Sequence, residues 1–446
     1  MDRDAGPEMA VLMAASRPPD PGRGAGTAVA GAGQGGGADL PSRRTPGRDR
    51  DDAGPGDRAA GAVGPGGPDR APTTAAPPSP GPAEPAAAGR AAPVDPDRLF
   101  ELARLNKMLG VLPLAPAALP PGCGGLAPRL LQVHLQTVAM NRRAMAVTLE
   151  VVEALRPLRH VVLKGPFQQL AVHGHANRRP SGDIDLYVAP RDRARAAALL
   201  EGLGFRPTEA DRALWWIRFL GEQHFQRAAD GAVVDLHHRL QQVGLPAWQR
   251  AGQVLDRAET RMQDGVVVPV PAAIDGCLLL GVQLAKALLA HEPCGWAVAE
   301  LAHWLVQMTP GDWQRLWQAA AAAGQDRTLA LAMALVTACY GPLRLADGSP
   351  AVPAIAAPRG LPDDPALLRD LVFQPWRRQR SGLAAASDAA DARPGATRRR
   401  QMLRMLAQGR PHVLAIEAAR AVLSPLVLNR LTRRPERAGP DARPPG

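Results

Sequence analysis

The 446 residues carry a formal net charge of +11, 46% hydrophobic residues and four cysteines, a length that holds two or three domains. Cys123, Cys277, Cys294 and Cys339 are scattered without CxxC spacing or nearby paired histidines, which excludes a zinc cluster or a disulfide framework and predicts buried free thiols. Positive charge favours anionic partners in general, but the arginine clusters at 377–380, 398–400 and 430–437 lie in terminal or linker segments, where solvated charge competes with RNA contact as the explanation.

Residues 1–94 are a Gly, Ala, Pro, Arg and Asp mixture that reads as a disordered tail, because burial there cannot offset the entropy of ordering. Its apolar run Met9 to Ala15 is too brief for a secretory segment. No later run reaches the roughly 18 uncharged residues of a spanning helix, so the expectation is a cytoplasmic protein with no membrane partner. Asp95 to Met108 predicts a short amphipathic helix, and Pro128 to Leu155 a long one with Leu131, Leu135, Met145, Leu149 and Val152 on its core face.

His160 to Leu163 then reads as a buried strand delivering Lys164 and Gly165, followed by a helix at 167–173. A second strand carries Asp183, Ile184, Asp185 and Leu186. Asp192 is expected to cap a helix ending at Gly204, with strands at 216–219 and 223–226 before a third acidic strand, Ala232 to His238. Asp264-Gly265 signals a hairpin. Beyond Pro271 the periodicity is helical, at 274–291, 296–308, 311–323, 327–340 and 365–373, with a further pattern at 398–428. The domain reading is a tail (1–94), a small mixed α/β (α+β) sheet with flanking helices (95–270), a helical region (271–430) with a flexible segment near 384–397, and a second disordered tail (431–446).

Successive side chains of a strand point to opposite faces, so Asp183 and Asp185 share one face and Ile184 and Leu186 enter the core on the other. Asp235 supplies a third acid, and His237 lies on the same face of its strand. Converging carboxylates repel unless a cation lies between them, and an all-oxygen set open to phosphates suits Mg2+ or Mn2+ better than zinc. Gly165 leaves room for phosphates against backbone amides, and Lys164 or Arg179 can neutralise the charge moving to a departing pyrophosphate. Only three of the 53 lysines and arginines are lysines, Lys107, Lys164 and Lys286, which singles out Lys164. The tryptophans, Trp215, Trp216, Trp296, Trp304, Trp313 and Trp317, fit core and helix contacts better than base stacking.

Leu163-Lys164-Gly165, Arg179-Pro180-Ser181-Gly182-Asp183-Ile184-Asp185-Leu186 and Gly231 before Asp235-Leu236-His237 together resemble an uncharacterised nucleotidyltransferase family of the DNA-polymerase-beta-like superfamily. The resemblance runs from about Pro128 to about Gly324, with His291, Trp296 and Trp313 at positions where members have similar residues. It implies metal ligation and catalysis by Asp183, Asp185 and Asp235 and a nucleotide side lined by Lys164, Gly165 and Arg179; the residues themselves add Gly182 to the nucleotide side and His237 and His224 as groups that touch substrate or orient Asp235. Two departures stand out: Lys164-Gly165 where many superfamily members have Gly-Ser, and His303 in place of a family aspartate.

The implied reaction moves a nucleoside monophosphate from ATP or another nucleoside triphosphate to a hydroxyl of a small molecule, a peptide or a tRNA end. The alternatives are a DxD glycosyltransferase holding a nucleotide sugar through manganese, in which Asp235 is surplus, and a catalytically idle scaffold that binds nucleotide or RNA.

Overall fold

The computed structural model describes residues 6–20, 93–208, 221–240, 245–375 and parts of 401–423. The strand expected at 216–219 with Trp215 and Trp216, the segment 384–397 and the tail 431–446 lie outside them. The helices are Gly6–Ala15 (α1), Pro96–Leu105 (α2), Ala127–Ala154 (α3), Pro166–His173 (α4), Arg193–Gly202 (α5), Gly252–Asp256 (α6), Ala273–Ala290 (α7), Gly295–Leu305 (α8), Pro310–Ala323 (α9), Asp326–Tyr340 (α10) and Pro365–Phe373 (α11).

His160–Val162 (β1), Asp183–Val188 (β2), Phe205–Pro207 (β3), Glu222–Arg227 (β4) and Val233–His237 (β5) form one sheet in the order β1-β2-β5-β4-β3. Only β2 and β5 pair in parallel; the other pairs are antiparallel. This is the small mixed sheet expected, with the short β3 added. Ile184, Leu186, Val188, Val234 and Leu236 bury one face against Val151 and Val152 of α3, Leu155 just after it, and Ala196 and Leu200 of α5. Each such side chain, fully buried, contributes roughly 1.5–3 kcal/mol. A hairpin of Glu259–Gln263 (β6) and Val266–Val270 (β7) turns at Asp264-Gly265, both at positive φ, as the favoured two-residue turn requires.

Three expectations need correction here. In α3 the predicted core face is wrong in its N-terminal half: Leu131 and Leu135 are exposed, while Leu130, Thr137 and Asn141 are buried. The sheet supports only the C-terminal half of this helix; the first half packs through Ala127 and Leu130 against Leu99, Leu102 and Leu126, and Asn141 at its middle bonds the loop before β2. Asp192 precedes α5 but makes no capping hydrogen bond with its side chain, because a 3-10 turn over Pro190–Asp192 already feeds the helix.

The third correction concerns the tail. The described residues 6–20 belong to the same compact unit as the described residues from 93 onward. Within it α1 buries Leu12 completely; Asp95 donates its backbone N–H to Glu8 at 2.9 Å, and Ser16 Oγ lies 2.8 Å from the Tyr340 hydroxyl. The average composition of residues 1–94 conceals one apolar stretch able to dock.

Between Ala273 and Phe373 the helices follow the predicted pattern closely, and all four cysteines are buried free thiols. Helix α7 is long and apolar enough to cross a membrane by length and composition, although Asp275 and Lys286 interrupt its apolar run. Half of that window is buried, with Leu280 and Leu284 fully enclosed, so core packing accounts for its apolarity. Gly276 lets α7 approach α8: a Cβ there would lie 2.0 Å from the Trp304 ring.

His173 and His303 meet edge to face with centroids 4.9 Å apart. Burial, then their mutual repulsion and Arg178, pushes His173 down to about 3; burial and Arg178 push His303 down to about 4.

Gly276→Ala forces the Trp304 indole out of place and is expected to cost about 1–3 kcal/mol or more in urea unfolding; an unchanged midpoint contradicts the packing. The two histidines stay neutral when folded, whereas the unfolded chain takes up their protons below its pKa of about 6.5. Stability therefore falls as pH drops from 7 toward 4.5, by roughly 2 kcal/mol per histidine. The same titration on His303→Gln should show a shallower loss; a loss as steep as that of the parent protein refutes the assignment.

Candidate active site

The register of the parallel pair builds the acid cluster. Asp185 on β2 sits directly opposite Asp235 on β5, and Asp183 lies two residues before Asp185 on the same face. One ligand oxygen from each of the three carboxylates falls within 4.8 Å of the others. Asp183 is exposed, Asp185 is buried and Asp235 is half-buried, so the group passes from solvent into the sheet.

Two cationic or donor groups hold the buried member. Lys164 Nζ donates to Asp185 Oδ1 at 2.7 Å, and His237 Nε2 lies 3.0 Å from the same oxygen. Both use Oδ1, so neither engages Oδ2. Burial alone would raise the Asp185 carboxyl, but Lys164 and His237 outweigh it and hold the group far below the usual carboxylate range. Burial likewise opposes the Lys164 charge, and the carboxylates of Asp185, Asp183 and Asp235 overcome it, raising the lysine. Behind them, Glu222 on β4 lies 3.4 Å from His237 Nδ1 and 3.7 Å from His224 Nε2. His224 in turn is 3.8 Å from Asp235.

Asp235 has weaker support, since His224 Nε2 stands 3.8 Å from its Oδ1, beyond hydrogen-bond distance. Its Oδ1 is buried without a hydrogen-bond partner among the described residues. Burial, and then the Asp185 charge, push its carboxyl up to about 6. An orphaned carboxylate oxygen beside two further carboxylates is the donor set of a hard divalent cation such as Mg2+ or Mn2+, so the residues present fit that ion.

Lys164 is delivered by β1, and the chain then turns at Gly165, where φ is 85° and ψ is −150°, a conformation open to glycine alone. The segment Arg179 to Ser181 ahead of β2 is pinned from two helices. Asn141 on α3 donates to the carbonyls of Ala176 and Arg179 and accepts from the Ser181 N–H. Gln169 on α4 accepts from the Arg179 N–H and donates to its carbonyl. Arg179 itself pairs through Nε with buried Glu300 of α8 at 2.8 Å, and its guanidinium stacks 4.1 Å over the Trp296 ring. Its Nη2 is buried and unpartnered among the described residues.

These elements enclose a cleft of about 500 Å³ lined by Lys164, Gly165, Arg179, Asp183, Asp185 and His237, with walls from α2, α7 and α8. Such a volume is in the range of small-molecule sites. Gly182 does not join them: it lines a separate shallow depression beside Ile184, at a φ that any residue adopts with open space around its Cα hydrogen. Gly182 shares the facing of Ile184 and so turns from the acids. Asn141, Gln169, Glu222 and Glu300 were not singled out from the sequence. For Glu300 a signal existed, since it is the one charged residue of an otherwise apolar helix, GWAVAELAHWL. His303, in place of the expected aspartate, faces the α1 terminus, with Nε2 3.2 Å from the Ser16 carbonyl.

The family model for the uncharacterised nucleotidyltransferases matches residues 92–341. That is more than half of the chain, and the chain belongs to this family. The matched region is wider than the resemblance drawn from the motifs, taking in α2 at one end and α10 at the other. None of the curated proteins matches the chain.

Because Asp235 is held above its ordinary value, its ionised form at neutral pH disfavours the fold. Asp235→Asn is therefore expected to raise stability by roughly 1–3 kcal/mol at pH 7.5 in metal-free buffer, an advantage that shrinks as pH falls through about 6. Urea melts of both proteins across this range provide the check. A variant less stable at pH 7.5 would show that the carboxylate is not strained there.

Proposed function

We propose that this protein is a metal-dependent nucleotidyltransferase that moves a nucleoside monophosphate from a nucleoside triphosphate to a hydroxyl. Family membership supports nucleotidyl transfer in general. The observation that carries the finer reading is the convergence of Asp183, Asp185 and Asp235 with one buried oxygen of Asp235 left unsatisfied. In this reading the three carboxylates hold Mg2+ or Mn2+, which when bound supplies charge for the phosphate oxygens on both sides of the displacement.

The chain's own residues do the rest. Lys164, held at the site by Asp185, places its ammonium on the side of the cleft where the triphosphate would lie, and Gly165 lets the phosphates reach the backbone of the β1–α4 turn. Arg179, fixed by Glu300 and Trp296, lines the cleft and adds a positive charge on the nucleotide side. Asp235 draws the proton from the acceptor hydroxyl. That oxygen bonds to the α-phosphorus, the bond from the α-phosphorus to the bridging oxygen breaks, and pyrophosphate leaves. A glycosyltransferase needs no third acid in register with its DxD pair, and nothing among the described residues favours it.

The test uses α-labelled ribonucleoside triphosphates with Mg2+ or Mn2+ and cell extract as the source of acceptor. Label should pass to an acceptor with release of pyrophosphate, and Asp183→Asn/Asp185→Asn should lower the rate at least about 10³-fold. Transfer that survives in the double variant, or release of nucleoside diphosphate in place of pyrophosphate, defeats the reading.

A further inference from the structure

Of the 53 basic side chains in this protein only three are lysines, and all three, Lys107, Lys164 and Lys286, line the same cleft. They arrive from unrelated elements: Lys107 from the end of α2, Lys164 from the turn after β1, and Lys286 from α7. A chain that uses arginine nearly everywhere else has placed every lysine around one space. The difference matters chemically, because a lysine ammonium is a compact point charge on a flexible stem, suited to a phosphate oxygen rather than to planar bidentate pairing.

Lys164 is occupied by Asp185. Lys107 and Lys286 are not: both are exposed, and neither side chain makes an ion pair or hydrogen bond among the described residues. Glu292 also lines the cleft, but pairs with neither of them.

Lys107 occupies a position that glycine would take at lower energy. Its φ is 55°, and it closes α2 with a Schellman pair, Met108 N–H to the Ala103 carbonyl and Lys107 N–H to the Arg104 carbonyl. Most helices ending this way use glycine there, and this chain has 45 glycines to draw on. The neighbouring Asn106 is fully buried and ties this helix end to the Gly295 N–H and the Phe373 carbonyl. The lysine is thus carried, at a conformational cost, on an anchored corner of the cleft.

We infer that Lys107 and Lys286 form a phosphate-binding wall on the helical side of the cleft that Asp183 and Asp185 also line, which takes a polyphosphate or phosphate ester anion. The inference rests on the nucleotidyl-transfer reading for its choice of ligand. The anion can come from two sources, the tail of the triphosphate itself or a phosphate group on the acceptor.

Calorimetric titration of the full chain with inorganic tripolyphosphate in EDTA tests the wall apart from catalysis, since it needs neither metal nor turnover. The parent protein should bind. Lys107→Gln/Lys286→Gln should weaken binding at least tenfold, whereas Asp183→Asn/Asp185→Asn should bind as tightly or more tightly, having lost opposing charge. Equal binding by the parent and the double lysine variant, or no binding by the parent, overturns the inference, while loss of label transfer alone leaves it standing.

ATP added before tripolyphosphate separates the sources. Mutual exclusion assigns the wall to the triphosphate tail, and simultaneous binding assigns it to the acceptor. Lys107→Gly guards against a merely structural role: it should weaken tripolyphosphate binding and at the same time raise the melting temperature, whereas a structural lysine would lower it.

Discussion

Three carboxylates held within one small space are the constraint around which this fold is arranged. Two unit charges 4 Å apart near a protein surface repel by about 4 kcal/mol, and the parallel pairing of β2 and β5 places Asp185 and Asp235 side by side. The sheet answers with Lys164 and His237 on the buried Asp185 and leaves Asp235 without an equivalent. The imbalance is local and has a direction: it favours any cation that can reach the unsatisfied oxygen. A strained site of this sort, stabilised elsewhere by a large apolar core, is the usual relation between function and stability.

The polar scaffold around the cleft serves orientation more than stability. Arg179 and Glu300 are both buried, and a buried pair repays its desolvation only when the geometry is good and the remaining donors are satisfied. Here one guanidinium nitrogen is not. The pair nevertheless fixes the segment before β2 against α8, while Asn141 and Gln169 fix its backbone from α3 and α4. Every element touching this segment comes from a different part of the chain, so the direction in which Asp183 points depends on the packing of the helical region as well as on the sheet.

How much of this was legible in the sequence follows from the range of each interaction. Asp183, Asp185, Asp235 and His237 are readable because strand alternation is local, and Gly165 because a lysine-glycine step after an apolar strand marks a turn. Helices from Ala273 to Phe373 are readable because their apolar period is strong. Glu300 and Arg179 are 121 residues apart, and no local pattern joins them. Glu222 orients His237 across an antiparallel pair whose register the sequence does not fix. Helix α3 misled because it carries apolar residues on more than one side, and only contact with the sheet selects among them. Helix α1 was lost in the average of a tail whose composition is polar and small.

If Asp183, Asp185 and Asp235 make a divalent-metal site, electron paramagnetic resonance of Mn2+ added to the protein should show bound Mn2+ in the parent at pH 7.5, weakening as pH falls through about 6 where Asp235 takes up its proton, and none in Asp185→Asn. A spectrum of free Mn2+ at every pH, or equal binding by the variant, would contradict it.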